Sequence, residues 1–201
     1  MAERNTRRSP LAGAADRLAR VTGAAGGAIA MAEVPFLTQL DLRLDPDGPA
    51  AATAGKELGL ALPTQACTSS RSGDIDVLWL GPDEWLVVGP PGAAERLTGQ
   101  LRSAAGSGHA SVVDVSAQRT TLFLSGPRVR DLLALGCAVD LHPRVFGTGD
   151  CVQTVLAHVP VVLLRRDPGD AAEPAFWVLV RASFAAHLVD WLVDASVEYT
   201  G

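Results

Sequence analysis

The sequence predicts an α+β fold of mostly antiparallel strands covered by returning helices. Three observations predict it. Residues 111–136 read as strand, polar corner, strand and helix, with the buried face written in. Leu40, Leu42 and Leu44 alternate with Gln39, Asp41 and Arg43, the period of a half-buried strand. The order strand, helix, two or three strands, helix then recurs in both halves, as two similar ferredoxin-like modules would require. Residue identities of the halves do not match closely, so the expected repeat is one of topology. The expected division is an N-terminal arm over 1–30, a first module over 31–105 and a second over 106–201.

Taken in order, residues 1–10 read as a frayed arm. Leu11, Leu18 and Val21 allow a short helix over 11–21, which Gly13 weakens. Gly23, Gly26 and Gly27 make a joint before the strand over 36–44. Pro46, Gly48 and Pro49 turn the chain into a helix over 50–58 that ends at Gly59. Residues 63–68 suit a short extended piece. The runs 75–80 and 85–88 flank Gly81-Pro82-Asp83-Glu84, a hairpin with a Pro-led loop. Gly89 to Gly92 stops the second strand. Ala94, Leu97 and Leu101 give one apolar face to a helix over 93–101, and 106–109 is a linker.

In the second half, Val112, Val113 and Val115 carry Asp114 on one strand, and 121–124 form the next. Ser125 or Gly126 can cap a helix with Pro127 at its first position, where no N–H is needed. Val129, Leu132 and Leu133 face inward, and Gly136 suits the helix end. Residues 141–146 are irregular around Pro143, and 147–150 make a turn. Strands follow over 151–159 and 161–165, divided by Pro160. After a loop over 167–174 comes a strand over 175–180. Ser183 caps a last helix with Phe184, Leu188, Trp191 and Leu192 inward and Asp190 and Asp194 outward.

Composition narrows the function. The chain has 201 residues, 48% apolar and 19% charged, which suits a folded domain. Acidic residues outnumber basic ones 22 to 17, which argues against a dedicated nucleic-acid binder. Lys56 is the single lysine. Cys67, Cys137 and Cys151 are odd in number and far apart, so a reducing cytoplasm is the natural setting. The glycine- and alanine-rich run over 24–31 is too short to span a bilayer, and no signal peptide is visible.

The search for chemistry finds little. Gly147-Thr148-Gly149 lacks the third glycine of a dinucleotide loop and precedes a strand. Cys137, His142 and Cys151 match no common zinc spacing. His187 sits beside an apolar helix face, and His109 and His158 have no carboxylate partner in sequence. Asp83 and Glu84 are neighbours, not the opposed pair that glycoside hydrolysis needs. Trp85 beside them belongs either to the core or to a binding surface, and the core is favoured. Asp114 and Arg119 are expected to form a structural ion pair. No catalytic, cofactor-binding or metal-binding residue is assigned.

Particular residues go further. They are Ser9-Pro10-Leu11-Ala12, Pro35-Phe36, Leu42-Arg43, Leu60-Ala61-Leu62-Pro63 and the run Leu78 to Leu86. They continue with Val113 to Ser116, Ser125-Gly126-Pro127, Asp140 to Pro143, Gln153-Thr154, Arg181 to Phe184 and Trp191-Leu192. Along nearly its whole length the chain resembles the gamma subunit of heterotetrameric sarcosine oxidase. The Ser-Gly-Pro helix start is shared more widely with folate-binding modules of the aminomethyltransferase type.

The resemblance implies a folate-binding-domain-like fold and a non-catalytic assembly subunit. It would support oxidative demethylation of sarcosine to glycine by flavin-bearing alpha and beta subunits. FAD, FMN, NAD and zinc would reside in partner chains, with tetrahydrofolate a co-substrate of the complex. Partners would be alpha, beta and delta, chiefly alpha. The expected contact patch is Asp83, Glu84 and Trp85. Neither nucleic acid nor membrane is implied, and a homodimer of the isolated chain stays open. The rival of a different class is a free-standing tetrahydrofolate-binding aminomethyltransferase-like protein, for which Asp114 is the one candidate carboxylate. A third is a plain self-associating scaffold.

Overall fold

The computed structural model describes residues 7–106, 108–166 and 173–200. Residues 1–6 of the expected arm and 167–172 of the expected loop lie outside them. The helices are α1 Ala15–Ala24, α2 Pro49–Leu58, α3 Ala94–Ala105, α4 Val129–Ala134 and α5 Ala185–Ala195. The first strands are β1 Ala30–Val34, β2 Thr38–Leu44, β3 Ser69–Ser72, β4 Ile75–Gly81 and β5 Glu84–Gly89. The rest are β6 Ala110–Asp114, β7 Arg119–Ser125, β8 Cys151–Leu156, β9 Val159–Arg165 and β10 Ala175–Arg181.

The strands form two five-stranded antiparallel sheets. One has the order β1-β7-β10-β9-β8 and the other β3-β4-β5-β2-β6. Each half lends the other an edge strand. β1 pairs with β7, and β6 pairs with β2. The sheets therefore do not part at residue 105, and a cut there would strip an edge from both.

Alternation sets three apolar layers. Leu18 of α1, Leu132 of α4 and Leu188 of α5 pack on Leu122, Leu163 and Val178 of the first sheet. Leu58 of α2 and Leu97 and Leu101 of α3 pack on Leu40, Leu42, Trp85 and Val87 of the second. The opposite faces meet each other through Leu78, Leu86 and Val88 against Val162, Leu164, Trp177 and Leu179. The result is helices, sheet, sheet, helices.

Several local expectations shift. β1 lies partly in the glycine- and alanine-rich run, whose composition hides a strand. The extended piece expected over 63–68 lies instead in the polar β3. The hairpin joining β8 to β9 turns at Ala157 and His158, both at positive φ, and not at Pro160. Pro160 lies inside β9 beyond the last residue paired with β10, where no ladder donor is missed on that side. Ser183 sits in a short 3₁₀ turn before α5, and Phe184 is exposed. Gly126 has φ +116°, and a side chain there would meet the Ala28 carbonyl at 2.5 Å. Gly136 is needed for packing: a Cβ would lie 2.6 Å from the Trp191 ring.

Candidate functional site

The β4–β5 hairpin carries the sequence-predicted patch. Its ladder shifts register between Trp79 and Gly81, and the tip is tied back to β2 where the Asp83 carbonyl accepts from the Leu44 N–H at 3.3 Å. Asp83 has a side chain 60% exposed, whereas that of Glu84 is 25% exposed. Arg43 of β2 lies opposite Glu84 in register and gathers the acids of this corner. Its guanidinium is 2.5 Å from Glu84, 3.9 Å from Asp83 and 4.0 Å from Asp41. Burial raises the Glu84 pKa above the usual carboxylate range, and the Asp41 charge adds to this against the pull of Arg43.

Trp85 is a different matter. Successive side chains of a strand face opposite ways, so Glu84 turns toward the seam between the sheets and Trp85 turns under the helices. The indole is 0% exposed and its Nε1–H donates to the Pro63 carbonyl at 2.7 Å. It offers no surface to a partner. Of the three residues expected to make a contact patch, Asp83 and Glu84 reach the surface, with Arg43 beside them, and Trp85 does not.

The same corner has an arginine pair that sequence reasoning did not join. Arg119 of β7 and Arg181 of β10 are register partners on the seam face of the first sheet. With Gln153, Val155, Pro160, Val162 and Leu179 they line an open hollow of about 310 Å³. Gln153 fastens it to the hairpin by donating from Nε2 to the Leu80 carbonyl at 2.9 Å. Among the described residues, neither guanidinium makes an ion pair. Burial lowers the Arg119 pKa, Arg181 lowers it further, and Asp41 and Glu84 pull the other way more weakly. The expected Asp114–Arg119 pair is not formed. Asp114 Oδ1 instead accepts from the Ser116 N–H and hydroxyl. The missing signal was register: alternation places Arg181 on a face, but only β7–β10 pairing sets it opposite Arg119.

Two other concavities border the hairpin. One of about 510 Å³ is lined by Arg43, Asp45, Asp83 and His109. The other, about 690 Å³, runs beside α2 past Asp47 and Lys56. Ser111 shares the first lining with His109, but among the described residues no hydrogen bond joins the two.

The turn over 147–150, Asp114 and Cys151 do not fit the groups they could have held. In the turn over 147–150, the Gly147 N–H is taken by Asp150 Oδ2 and the Gly149 N–H by the Arg165 carbonyl. Both donors are spent inside the chain, leaving no cradle for a phosphate. Asp114 is exposed on the edge strand β6, not enclosed as a pterin-binding carboxylate would be. Burial pushes the Cys151 thiol up to about 12, far from a reactive thiolate. Among the described residues, no three His, Cys, Asp or Glu side chains are placed to share a metal ion.

Comparison with known proteins places the whole chain. The family model described as "Sarcosine oxidase, gamma subunit family" matches residues 43–198. A sarcosine oxidase subunit gamma from Arthrobacter sp. is 39% identical over 194 residues, covering 96% of this chain and 91% of that protein. That from Corynebacterium sp. (strain U-96) is 39% identical over 197 residues, covering 96% and 92%. A chain of the solved heterotetrameric sarcosine oxidase from Corynebacterium sp. U-96, in complex with pyrrole 2-carboxylate, superimposes with a TM-score of 0.88. It shares 37% identity, with 97% of each chain covered. The aminomethyltransferase T of the Bartonella henselae glycine cleavage system shares the fold alone. Its TM-score is 0.58 at 16% identity, with 86% of this chain and 48% of that one covered. From end to end, then, the chain belongs to the sarcosine oxidase gamma subunit family.

Proposed function

We propose that this chain is the gamma subunit of a heterotetrameric sarcosine oxidase, a shaped piece that assembles with the chains where the chemistry occurs. The observation that carries this reading is the superposition over 97% of both chains on a heterotetrameric sarcosine oxidase. The spent donors of the 147–150 turn and the buried Cys151 thiol accord with it. In this reading alpha, beta and delta subunits are the partners, alpha chiefly. They supply FAD, FMN, NAD and zinc, and tetrahydrofolate serves the complex as co-substrate. Asp83 and Glu84 are the proposed contact patch toward alpha. A cytoplasmic setting is proposed on the three free thiols. No described helix is long and apolar enough to cross a membrane.

Co-expression tests the proposal. The tagged chain, purified with its neighbouring coding sequences expressed, should bring down yellow flavin-bearing partners that consume oxygen when sarcosine is added. A colourless chain that turned over sarcosine or a folate adduct by itself would overturn it.

A further inference from the structure

The arginines of this chain are unevenly committed. Arg43 is shared among three acids, Arg17 pairs with Asp190, Arg128 with Asp131, and Arg166 with Asp76. Arg119 and Arg181 face each other instead. Like charges directly opposite on neighbouring strands are unfavourable, so such a pair is a charge waiting for an anion. Beyond Arg119, a second hollow of about 170 Å³ adds Arg7 and Arg8. Arg7, whose guanidinium lies 5.1 Å over the Phe36 ring, and Arg8 thus line the ground beyond Arg119 on a chain whose net charge is −5.

The carboxylates nearby are already engaged. Asp41 and Glu84 lie beside Arg43. Glu33 accepts from the hydroxyls of Ser9 and Thr120, and Asp114 from Ser116. The floor between the arginines and the edge of the first sheet is apolar except for Gln153 and Thr154. Its apolar part is made by Pro160, Val162, Leu179 and Val155, which is 49% exposed on the edge strand β8. An apolar floor with arginine at its rim has the anatomy of a protein interface, and a small free anion would leave that floor wet.

We propose that the Arg119–Arg181 hollow docks an acidic segment of a partner subunit, one carboxylate bridging both guanidiniums while the segment covers Val155 and Pro160. This rests on the assembly reading above. The hollow adjoins the Asp83–Glu84 lip through Gln153 and Leu80, so acid and base form one mixed-charge surface. A bridging carboxylate turns repulsion into two charge-assisted hydrogen bonds. Both arginines are needed, since either alone gives neither the bridge nor the register.

The test compares wild type with Arg119→Gln/Arg181→Gln in assembly with the partner subunits, across sodium chloride concentrations, by sedimentation. Thermal melts confirm that each chain is folded. The double variant should assemble at least about 10-fold more weakly, and its affinity should fall less steeply with salt. A folded variant with wild-type affinity and salt slope would overturn the proposal. So would unchanged partner assembly with loss of self-association by the isolated chain, which would give the hollow to a second copy. So would unchanged assembly with loss of saturable sodium acetate binding, which would give it to a free carboxylate. Should the double variant unfold, Arg181→Gln at its exposed position carries the same test, since either arginine alone cannot make the bridge. A wild-type chain that assembles with nothing would overturn the assembly reading itself, visibly before any variant is compared.

Discussion

The seam between the sheets ends differently at its two mouths. At one, Arg166 follows β9 and lies 2.5 Å from Asp76 of β4, so the two sheets are joined by an ion pair. Arg71 adds a second contact at 3.8 Å, and the Arg166 guanidinium stacks 3.7 Å over the Trp177 ring. At the other mouth, Arg119 and Arg181 face each other across β7 and β10. One end answers its charge within the chain and closes. The other has only the weaker pull of Asp41 and Glu84 on Arg119, with no ion pair, and stays open. The same residue type serves cohesion in one place and recognition in the other, according to what the fold sets opposite it.

The wall beside the open mouth sets the scale of what breaking the fold costs. Trp85→Ala empties a fully buried indole site and leaves the Pro63 carbonyl unpaired. It should cost ~3–5 kcal/mol, read by urea denaturation. Next comes the closed mouth. Arg166→Met should cost about 3 kcal/mol at pH 7, because Asp76 is left as a buried carboxylate without its nearest cation. Burial already raises the Asp76 pKa against the pull of Arg166 and Arg71. A raised carboxylate pKa means the folded state binds the proton first, so stability recovers as pH falls through that raised value toward 3.8. The Arg166→Met deficit should therefore shrink as pH falls from 7 through that raised pKa. A deficit that held constant would show that lost stacking on Trp177, not the stranded carboxylate, is what the variant feels.

Much of this was legible in the sequence. The alternation of Leu40, Leu42 and Leu44 and the hairpin about Gly81 to Glu84 translate directly into β2, β4 and β5. The placing of Trp85 under the helices follows from period-two alternation once its strand is known. Partner choice was not legible. β1 crosses to β7 and β6 crosses to β2, and no local pattern encodes which sheet an edge strand joins. The seam clusters share that limit. Asp76 and Arg166 are 90 residues apart, and Arg119 and Arg181 are 62 apart. Their meeting is a matter of register between strands, which sequence periodicity leaves free. Gly136 was legible only in part: α4 does end just before it, as a glycine there predicts, but that the glycine also admits the Trp191 ring is a matter of tertiary packing.

At the lip of the open mouth, effects on the isolated chain should be small. Glu84→Gln breaks an ion pair with Arg43 but also relieves crowding with Asp41. Its net cost should stay below ~1 kcal/mol in urea denaturation. Asp83→Ala, at the exposed tip, should cost less. A loss of several kcal/mol at Glu84 would mean that this lip is a structural tie like the Asp76 end, and the contrast between the mouths would fail.

The smallest effect has the opposite sign. Arg181→Gln removes one of two opposed like charges at an exposed position, so the isolated chain should become more stable. The gain belongs at the low end of ~0.2–1 kcal/mol, because solvent screens the pair. It should shrink further in high salt, where the repulsion is already masked. The sign is what matters, since most substitutions destabilise. A gain on removing Arg181 would show that the folded chain carries this guanidinium at a cost, to be recovered only when something negative binds. A loss, undiminished by salt, would show that Arg181 is held by its own fold, and the open mouth would then be closed by packing rather than by a partner.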